Sequence, residues 1–254
     1  MSEFIKSKFG DVIKVVGPFK WPVAVILLLF MIGYTINLYT ALTGGYPRAE
    51  DEQLKGLDRY VDIYYVNSKL FPSTYTSTSG PVRVPVEGVI NVIVPQYVRC
   101  PDICHMETYM MLYASERLAE DGLLDKIVFV TIDVDPWRGT LDEARSYIAT
   151  MTEKAKAKPR WIWILDSTDK MERLYKQLGL VVQFDKETEL IVHTAGFYIV
   201  TEKGTLLYYI RITDDGWNNL DRVGEALYLV LKIVAEGGRL PAEILNIGLP
   251  GTGA

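Results

Sequence analysis

A long stretch near the N-terminus contains no charged residue. Between Trp21 and Pro47 there is no Asp, Glu, Lys or Arg, and the run is close to the about 20 apolar residues that cross about 30 Å of hydrocarbon. This pattern predicts a transmembrane helix over residues 21–45. Four lysines precede the run, whereas acidic residues closely follow Arg48. Because basic residues beside a span resist translocation, we expect residues 1–20 in the cytoplasm and the larger C-terminal part outside it.

Two other interpretations of this run fit less well. A cleaved signal peptide has a shorter apolar region of about 7–15 residues and ends at a small-residue site, which Thr40-Ala41-Leu42 matches poorly. A buried core helix rarely runs this long without a polar stripe. We therefore expect a retained anchor and a single-pass protein of the cell membrane.

The pattern changes beyond the predicted span. Residues 50–70 carry apolar positions among charges and could form a helix or a strand pair, and the small polar stretch PSTYTSTSG that follows predicts a linker or loop. We assign residues 46–81 as a whole to an extracytoplasmic linker. From Val82 onward, β-branched segments predict strands and longer amphipathic segments predict helices, beginning with a strand–helix–strand succession. A hairpin is expected over residues 196–212, followed by a long helix over residues 220–238.

The order of these elements predicts the fold class. Helices that alternate with strands and end in a hairpin plus helix fit a central mixed sheet that is flanked by helices on both faces. This is the α/β arrangement of thioredoxin-like folds. We assign residues 82–238 to this domain, and residues 239–254, which carry Gly and Pro, to a C-terminal tail.

Composition narrows the possible chemistry. A formal charge of −5, from 32 acidic and 27 basic residues, provides no extended basic field, so nucleic acid is excluded as a partner. Two cysteines are too few for a disulfide-rich scaffold. Any thiol or soft-metal chemistry must therefore use Cys100, Cys104, His105 and His193, which are all the cysteines and histidines of the chain.

The two cysteines occur in CPDIC, between a predicted strand and a predicted helix. The amides and positive dipole at a helix N-terminus favour the thiolate form. Residues four apart in a helix share a face, so the two sulfurs could hold one metal ion or form a disulfide. Two buried apolar cysteines without a chemical role remain an alternative from the spacing alone.

Three segments of the chain follow one family pattern. Residues 100–104 match a Cys-Pro-Asp-x-Cys core, residues 135–140 (DPWRGT) match Asp-Pro-x-Arg-Asp-Thr except at Gly139, and His193 stands before an aromatic-rich strand. In these segments the chain resembles the Sco/SenC family, whose members assist copper insertion into cytochrome c oxidase. A second departure is His105, where the family usually has Pro.

The resemblance implies that Cys100, Cys104 and His193 bind one copper ion, as Cu(I) or Cu(II). Two thiolates and an imidazole are a soft donor set that suits copper, whereas structural zinc normally has four protein ligands. Asp102 and Asp135 are candidates for supporting roles around these ligands. His105 should point away from the two sulfurs, because neighbouring helical residues are turned by about 100°.

Two main functions follow from this site. The favoured hypothesis is a metallochaperone that passes copper to the copper-bearing subunit of cytochrome c oxidase and needs no catalysed turnover. The alternative is an enzyme, an extracytoplasmic thiol-disulfide oxidoreductase that keeps partner cysteines reduced for metallation. Dedicated oxidoreductases of this fold use Cys-x-x-Cys, whereas the spacing here is three residues. A degenerate interaction module is a third, weaker interpretation.

Overall fold

The structure is a computed structural model that describes residues 25–35 and 48–247. Residues 25–35 form a helix in a unit that is separate from the unit beginning at Arg48. No helix among the described residues is both long and apolar enough to cross a membrane. The predicted cytoplasmic segment 1–20 and most of the predicted span 21–45 lie outside the described residues.

A seven-stranded mixed sheet forms the centre of the larger unit, in the order β11-β1-β10-β9-β4-β5-β6. Strands β4, β5 and β6 are parallel, and β9 pairs antiparallel with β4. The strands of this sheet are β1 (Val61–Lys69), β4 (Ile90–Gln96), β5 (Ile127–Asp133), β6 (Trp161–Ile164), β9 (Phe197–Val200), β10 (Thr205–Ile212) and β11 (Leu245–Ile247). The predicted mixed sheet is therefore confirmed.

Helices cover both faces of the sheet. They are α1 (Ala49–Lys55), α2 (Ile103–Glu120), α3 (Leu141–Thr152), α4 (Thr168–Leu178), α5 (Asp214–Trp217) and α6 (Leu220–Ala235). Every residue of β4 and β5 is buried, as expected for parallel strands covered on both sides. Successive residues of β4 alternate between two cores, because side chains of a strand point to opposite faces: Val92 lies in one core and Ile93 in the other.

The fold begins before the predicted boundary at residue 82. Residues 46–81 were expected to be a linker, yet they include α1, β1 and the short strand β2 (Ser73–Tyr75), which pairs with β3 (Val82–Val84). Strand β1 buries Val61 and Ile63 and pairs antiparallel with β10. The predicted tail also contributes, because β11 pairs with β1. The alternating pattern of β1 is interrupted along its length, because its register with β10 shifts between Tyr65 and Ser68.

A second small sheet stands apart from the central one. Strands β7 (Val182–Phe184) and β8 (Ile191–His193) pair only with each other among the described residues. The predicted hairpin further along the chain is present as β9 and β10, which turn at Gly204 with a positive φ of 76°. The β7–β8 hairpin thus presents His193 immediately before β9 returns the chain to the central sheet.

Candidate metal centre

Both cysteines lie where β4 leads into α2. Asp102 is the N-cap of α2, and its side chain accepts a hydrogen bond from the amide of Ile103. The amide of Cys104 donates to Sγ of Cys100 at 3.4 Å. Both cysteines are free thiols, 5% and 0% exposed. The loop therefore brings the two sulfurs together, with one of them facing the amides of the helix start.

The two thiols differ in their protonation. The hydrogen bond from the Cys104 thiol, helped by the amides of Asp102 and Cys104, lowers the pKa of Cys100 to about 6 against the opposing effect of burial. Burial and the same hydrogen bond raise the pKa of Cys104. At neutral pH the pair is one thiolate and one thiol. Such a pair suits metal capture and thiol exchange equally, because the thiolate is the reactive form in both.

His193 presents a free nitrogen in buried surroundings. Its Nδ1 lies 3.0 Å from the carbonyl oxygen of Thr194, and its buried Nε2 has no hydrogen-bond partner in the described structure. Burial lowers the pKa of His193, so the ring is neutral. Because a neutral ring that donates from Nδ1 carries its lone pair on Nε2, this nitrogen is in the form that binds metals.

The structure does not gather all three predicted ligands into one cluster. Across residues 25–35 and 48–247, no three His, Cys, Asp or Glu side chains are grouped so that they would hold a metal ion. Tyr97 instead lies between the two halves of the site. Its hydroxyl is close to Cys100, and its ring meets the ring of His193 edge-on at 6.1 Å. Burial, followed by the negative charge of Cys100, raises the pKa of Tyr97 to about 12.

Glu107 connects the helix that carries Cys104 to the segment after His193, and sequence reasoning missed it. Its side chain is fully buried, and its Oε1 accepts a hydrogen bond from the amide of Gly196 at 2.9 Å. Burial raises the pKa of Glu107 to about 8. An acidic residue three positions after Cys104, on the same apolar helix face as Met111, was the signal that could have revealed it.

Gly196 is required at the other end of this contact. Its φ is +128°, and a Cβ there would lie 2.3 Å from the carbonyl oxygen of Ile210. Only glycine has the backbone freedom and the lack of side chain for this approach. The segment between β8 and β9 therefore passes close to β10 and offers its amide to Glu107.

Asp135 acts through Arg138 on the β7–β8 hairpin. Asp135 is buried, and its Oδ2 accepts a hydrogen bond from Nε of Arg138 at 2.7 Å. Arg138 also donates to the carbonyl oxygen of Glu189 at 3.0 Å and lies 5.0 Å from the ring centre of Phe184. The turn after β5 thereby contacts the hairpin that carries His193 at two places, the loop at Glu189 and the end of β7 at Phe184. The N-cap of α3 is Thr140.

Gly139, one of the two departures from the family pattern, has little room for a side chain. A Cβ at this position would lie 3.0 Å from Oδ2 of Asp133 and 3.2 Å from the carbonyl oxygen of Asp135. That Oδ2 already accepts a hydrogen bond from the indole of Trp163 at 2.9 Å. An acidic side chain at position 139 would meet the Asp133 carboxylate, so glycine fits this turn.

His105, the other departure, faces α3. Its Nδ1 lies 3.0 Å from the hydroxyl of Tyr147, and the two rings stack at 5.4 Å. The same hydroxyl donates to the carbonyl oxygen of Cys104 at 3.3 Å. The His105 ring therefore packs beside the first turn of α2, where its neighbour is a tyrosine.

A family model described as SCO1/SenC matches residues 82–227, which is more than half of the chain. The chain belongs to the SCO1/SenC family. The match includes both cysteines, the 135–140 turn and His193. No curated protein sequence matches this SCO1/SenC protein.

Solved structures share the fold of this SCO1/SenC protein. A SCO1/SenC family lipoprotein from Bacillus anthracis is 20% identical, with a TM-score of 0.52 over 64% of this chain and 96% of that one. ScoI from Arabidopsis thaliana with copper bound is 19% identical, with a TM-score of 0.50 over 62% and 96%. ScoI from Bradyrhizobium japonicum with copper bound is 20% identical, with a TM-score of 0.50 over 66% and 98%.

Proposed function

We propose that this SCO1/SenC protein is a membrane-anchored copper chaperone that passes copper to the copper-bearing subunit of cytochrome c oxidase. One observation carries the proposal: at the start of α2 the amide of Cys104 donates to Sγ of Cys100 at 3.4 Å, and the hydrogen bond from the Cys104 thiol lowers the pKa of Cys100. Soft sulfur donors of this kind favour Cu(I). The copper-bound ScoI proteins of the same fold add support.

His193 is the proposed third ligand. Its Nε2 is buried and has no hydrogen-bond partner within the described residues, which is costly unless a ligand takes the lone pair. The Tyr97 ring meets the His193 ring edge-on at 6.1 Å, next to this proposed ligand. Three protein ligands leave a position open, so an acceptor ligand can attach before the donor releases copper.

The anchor and its topology belong to the same proposal. Residues 21–45 would span the membrane, residues 1–20 would remain in the cytoplasm, and the copper-binding domain, which the structure describes over residues 48–247, would lie outside. Protease added to spheroplasts, in which the outer side of the cell membrane is exposed, should cut the domain and spare an N-terminal tag. Protection of the domain in spheroplasts with an intact membrane would contradict this topology.

Copper titration tests the proposed site. The full chain, purified in detergent and reduced, is titrated anaerobically with Cu(I) against a competing chelator. We expect one tightly bound ion per chain, no tight binding in Cys100→Ser and weaker binding in His193→Ala. His105→Ala is the matched control, because it removes the other histidine, and it should bind as the wild type does. A wild-type chain that binds no copper would rule out the chaperone function.

A second function, thiol-disulfide exchange, is favoured by the unequal protonation of the two cysteines. The Cys100 thiolate would attack a partner disulfide, forming a mixed disulfide and releasing one partner thiolate. Cys104, once deprotonated, would then attack Sγ of Cys100, forming the Cys100–Cys104 disulfide and releasing the second partner thiol. His193→Ala distinguishes the two functions, because it should weaken copper binding and leave the rate of exchange unchanged.

A further inference from the structure

Exposed apolar side chains are concentrated beside His193. Between residues 48 and 247, eight large apolar side chains are exposed, and five of them belong to the β7–β8 hairpin or the turn after β5. We call these five the hairpin surface: Trp137 (53% exposed), Val181 (57%), Phe184 (43%), Leu190 (39%) and Val192 (59%). The other three are Phe71, Tyr109 and Ile247. A concentration of exposed apolar groups of this kind marks an interaction site.

Contacts join the turn after β5 to the face of the hairpin that carries His193. Trp137 lines a depression together with Leu180 and Val182. The adjacent Arg138 donates to the Glu189 carbonyl and lies over Phe184. Trp137 therefore stands beside the hairpin on which the other four members are found.

The pairing of β7 with β8 shows which residues lie on the same face of the hairpin. Val192 pairs with Gln183, and His193 pairs with Val182. Since alternate residues of a strand point to opposite faces, Val181, Leu190 and Val192 lie on one face of the hairpin, while Phe184 and His193 lie on the other. A protein that contacts both faces of the hairpin would thus meet Phe184 on the face that carries the proposed copper ligand.

Charge identifies the class of partner. The loop over residues 185–190 carries three carboxylates, on Asp185, Glu187 and Glu189, and one lysine. A negative loop is repelled by anionic lipid and attracts basic side chains. The apolar centre with Trp137 and Phe184 has the composition of a protein interface, in which aromatic residues dominate the binding energy.

We propose that the hairpin surface docks the protein that exchanges copper with this chain, through an apolar patch with a basic rim on that protein. This inference rests on the proposed function. It adds where the partner binds and what chemistry the partner's surface must have. Docking there would bring the partner's copper ligands beside His193.

The test measures the affinity of the full chain, in detergent, for the copper-free soluble domain of the copper-bearing oxidase subunit. The test variants are Trp137→Ser and Val181→Ser, and Phe71→Ser is the matched control because Phe71 is 73% exposed outside the hairpin surface. Trp137→Ser should weaken binding by about 30-fold, as at an interface hot spot. Phe71→Ser should bind as the wild type does. Glu187→Lys should slow association most at low salt.

Several outcomes would overturn the proposal. The first is wild-type affinity in both hairpin variants, and the second is no binding by the wild type. A third is self-association that the hairpin variants abolish without a change in partner affinity, which would assign the surface to a second copy. A fourth is hydrogen-exchange protection of residues 181–192 on transfer from detergent to anionic nanodiscs, which would assign it to lipid. Copper stoichiometry, measured separately, tells failure of docking from failure of the proposed function.

Discussion

The two halves of the proposed copper site are built differently. Cys100 and Cys104 lie at the start of α2, packed in the core under the central sheet, and the amide of Cys104 donates directly to the Cys100 sulfur. His193 lies at the end of a two-stranded sheet outside the central one. The hairpin is joined to the body by a few specific contacts, chiefly those of Arg138 and the nearby Glu107–Gly196 hydrogen bond.

This difference indicates a division of work between the halves. The cysteine half is held before any ion arrives, so little ordering is needed for the sulfurs to bind. The histidine half is held by the contacts of Arg138 and by the nearby Glu107–Gly196 hydrogen bond. Substitutions in the cysteine half should therefore decide whether copper binds. Substitutions of Arg138 and Glu107 should change the copper affinity by smaller amounts.

The largest expected effect is in the cysteine half. Loss of a residue that supports a metal ligand weakens binding by up to about 100-fold. Cys104→Ala should weaken Cu(I) binding by more than this, because it removes a proposed ligand. It should also raise the pKa of Cys100 toward that of an ordinary thiol, since the Cys104 hydrogen bond is the main cause of the lowered value. Alkylation rate measured against pH reports that pKa, with half-maximal rate near pH 6 in the wild type. Equal midpoints in wild type and variant would contradict this assignment.

A smaller effect is expected at the hydrogen bond between Glu107 and the amide of Gly196. Glu107→Leu removes the acceptor for the Gly196 amide and should weaken copper binding by about 10–100-fold, measured by chelator competition. If Glu107 acts by positioning His193, the same substitution should cost little in a His193→Ala background, because interacting residues are not additive. Glu107→Gln, which keeps an acceptor oxygen, is the control. Equal losses in both backgrounds would show that Glu107 acts only on the fold.

Arg138 should have a weaker influence than Glu107, since it acts on the hairpin from outside the core. Arg138→Lys keeps the charge and loses the planar fork that reaches both Asp135 and the Glu189 carbonyl. We expect faster amide exchange over residues 182–193 and a copper affinity lowered by less than about tenfold. Arg83→Lys, a change at an exposed ion pair, serves as the control. Unchanged exchange over the hairpin would show that Arg138 does not hold it.

The smallest expected effect is a pH dependence of stability that comes from the buried carboxyl of Glu107. The pKa of Glu107 is raised from its ordinary value of 4.5 to about 8 in the folded chain, so the folded state holds the proton more tightly. Its contribution to stability is therefore full below pH 4.5 and is lost as pH rises through about 8. The Tm of the wild type should fall relative to that of Glu107→Gln across this range. Parallel Tm curves would contradict a protonated Glu107.

Local sequence was sufficient to predict much of the fold. The continuous apolar runs of β4 and β5, the helix start at CPDIC and the hairpin at Gly204 depend on residues within a few positions of one another. Over residues 50–70 the sequence left a helix and a strand pair open, because the pattern of β1 is half-exposed and its partner, β10, follows it by more than a hundred residues. A strand of this kind acquires its place only when the sheet is assembled.

The chain's amino acids alone determined which chemistry is possible: two thiols four residues apart, two histidines and three motifs in family order. Only the tertiary structure decided how these parts meet. It placed Tyr97 between the cysteines and His193, and joined Glu107 to Gly196 across 89 residues of chain. The reason is physical: helix starts and sulfur spacing follow from short-range geometry, whereas the partner of a buried polar group depends on which distant segment packs against it.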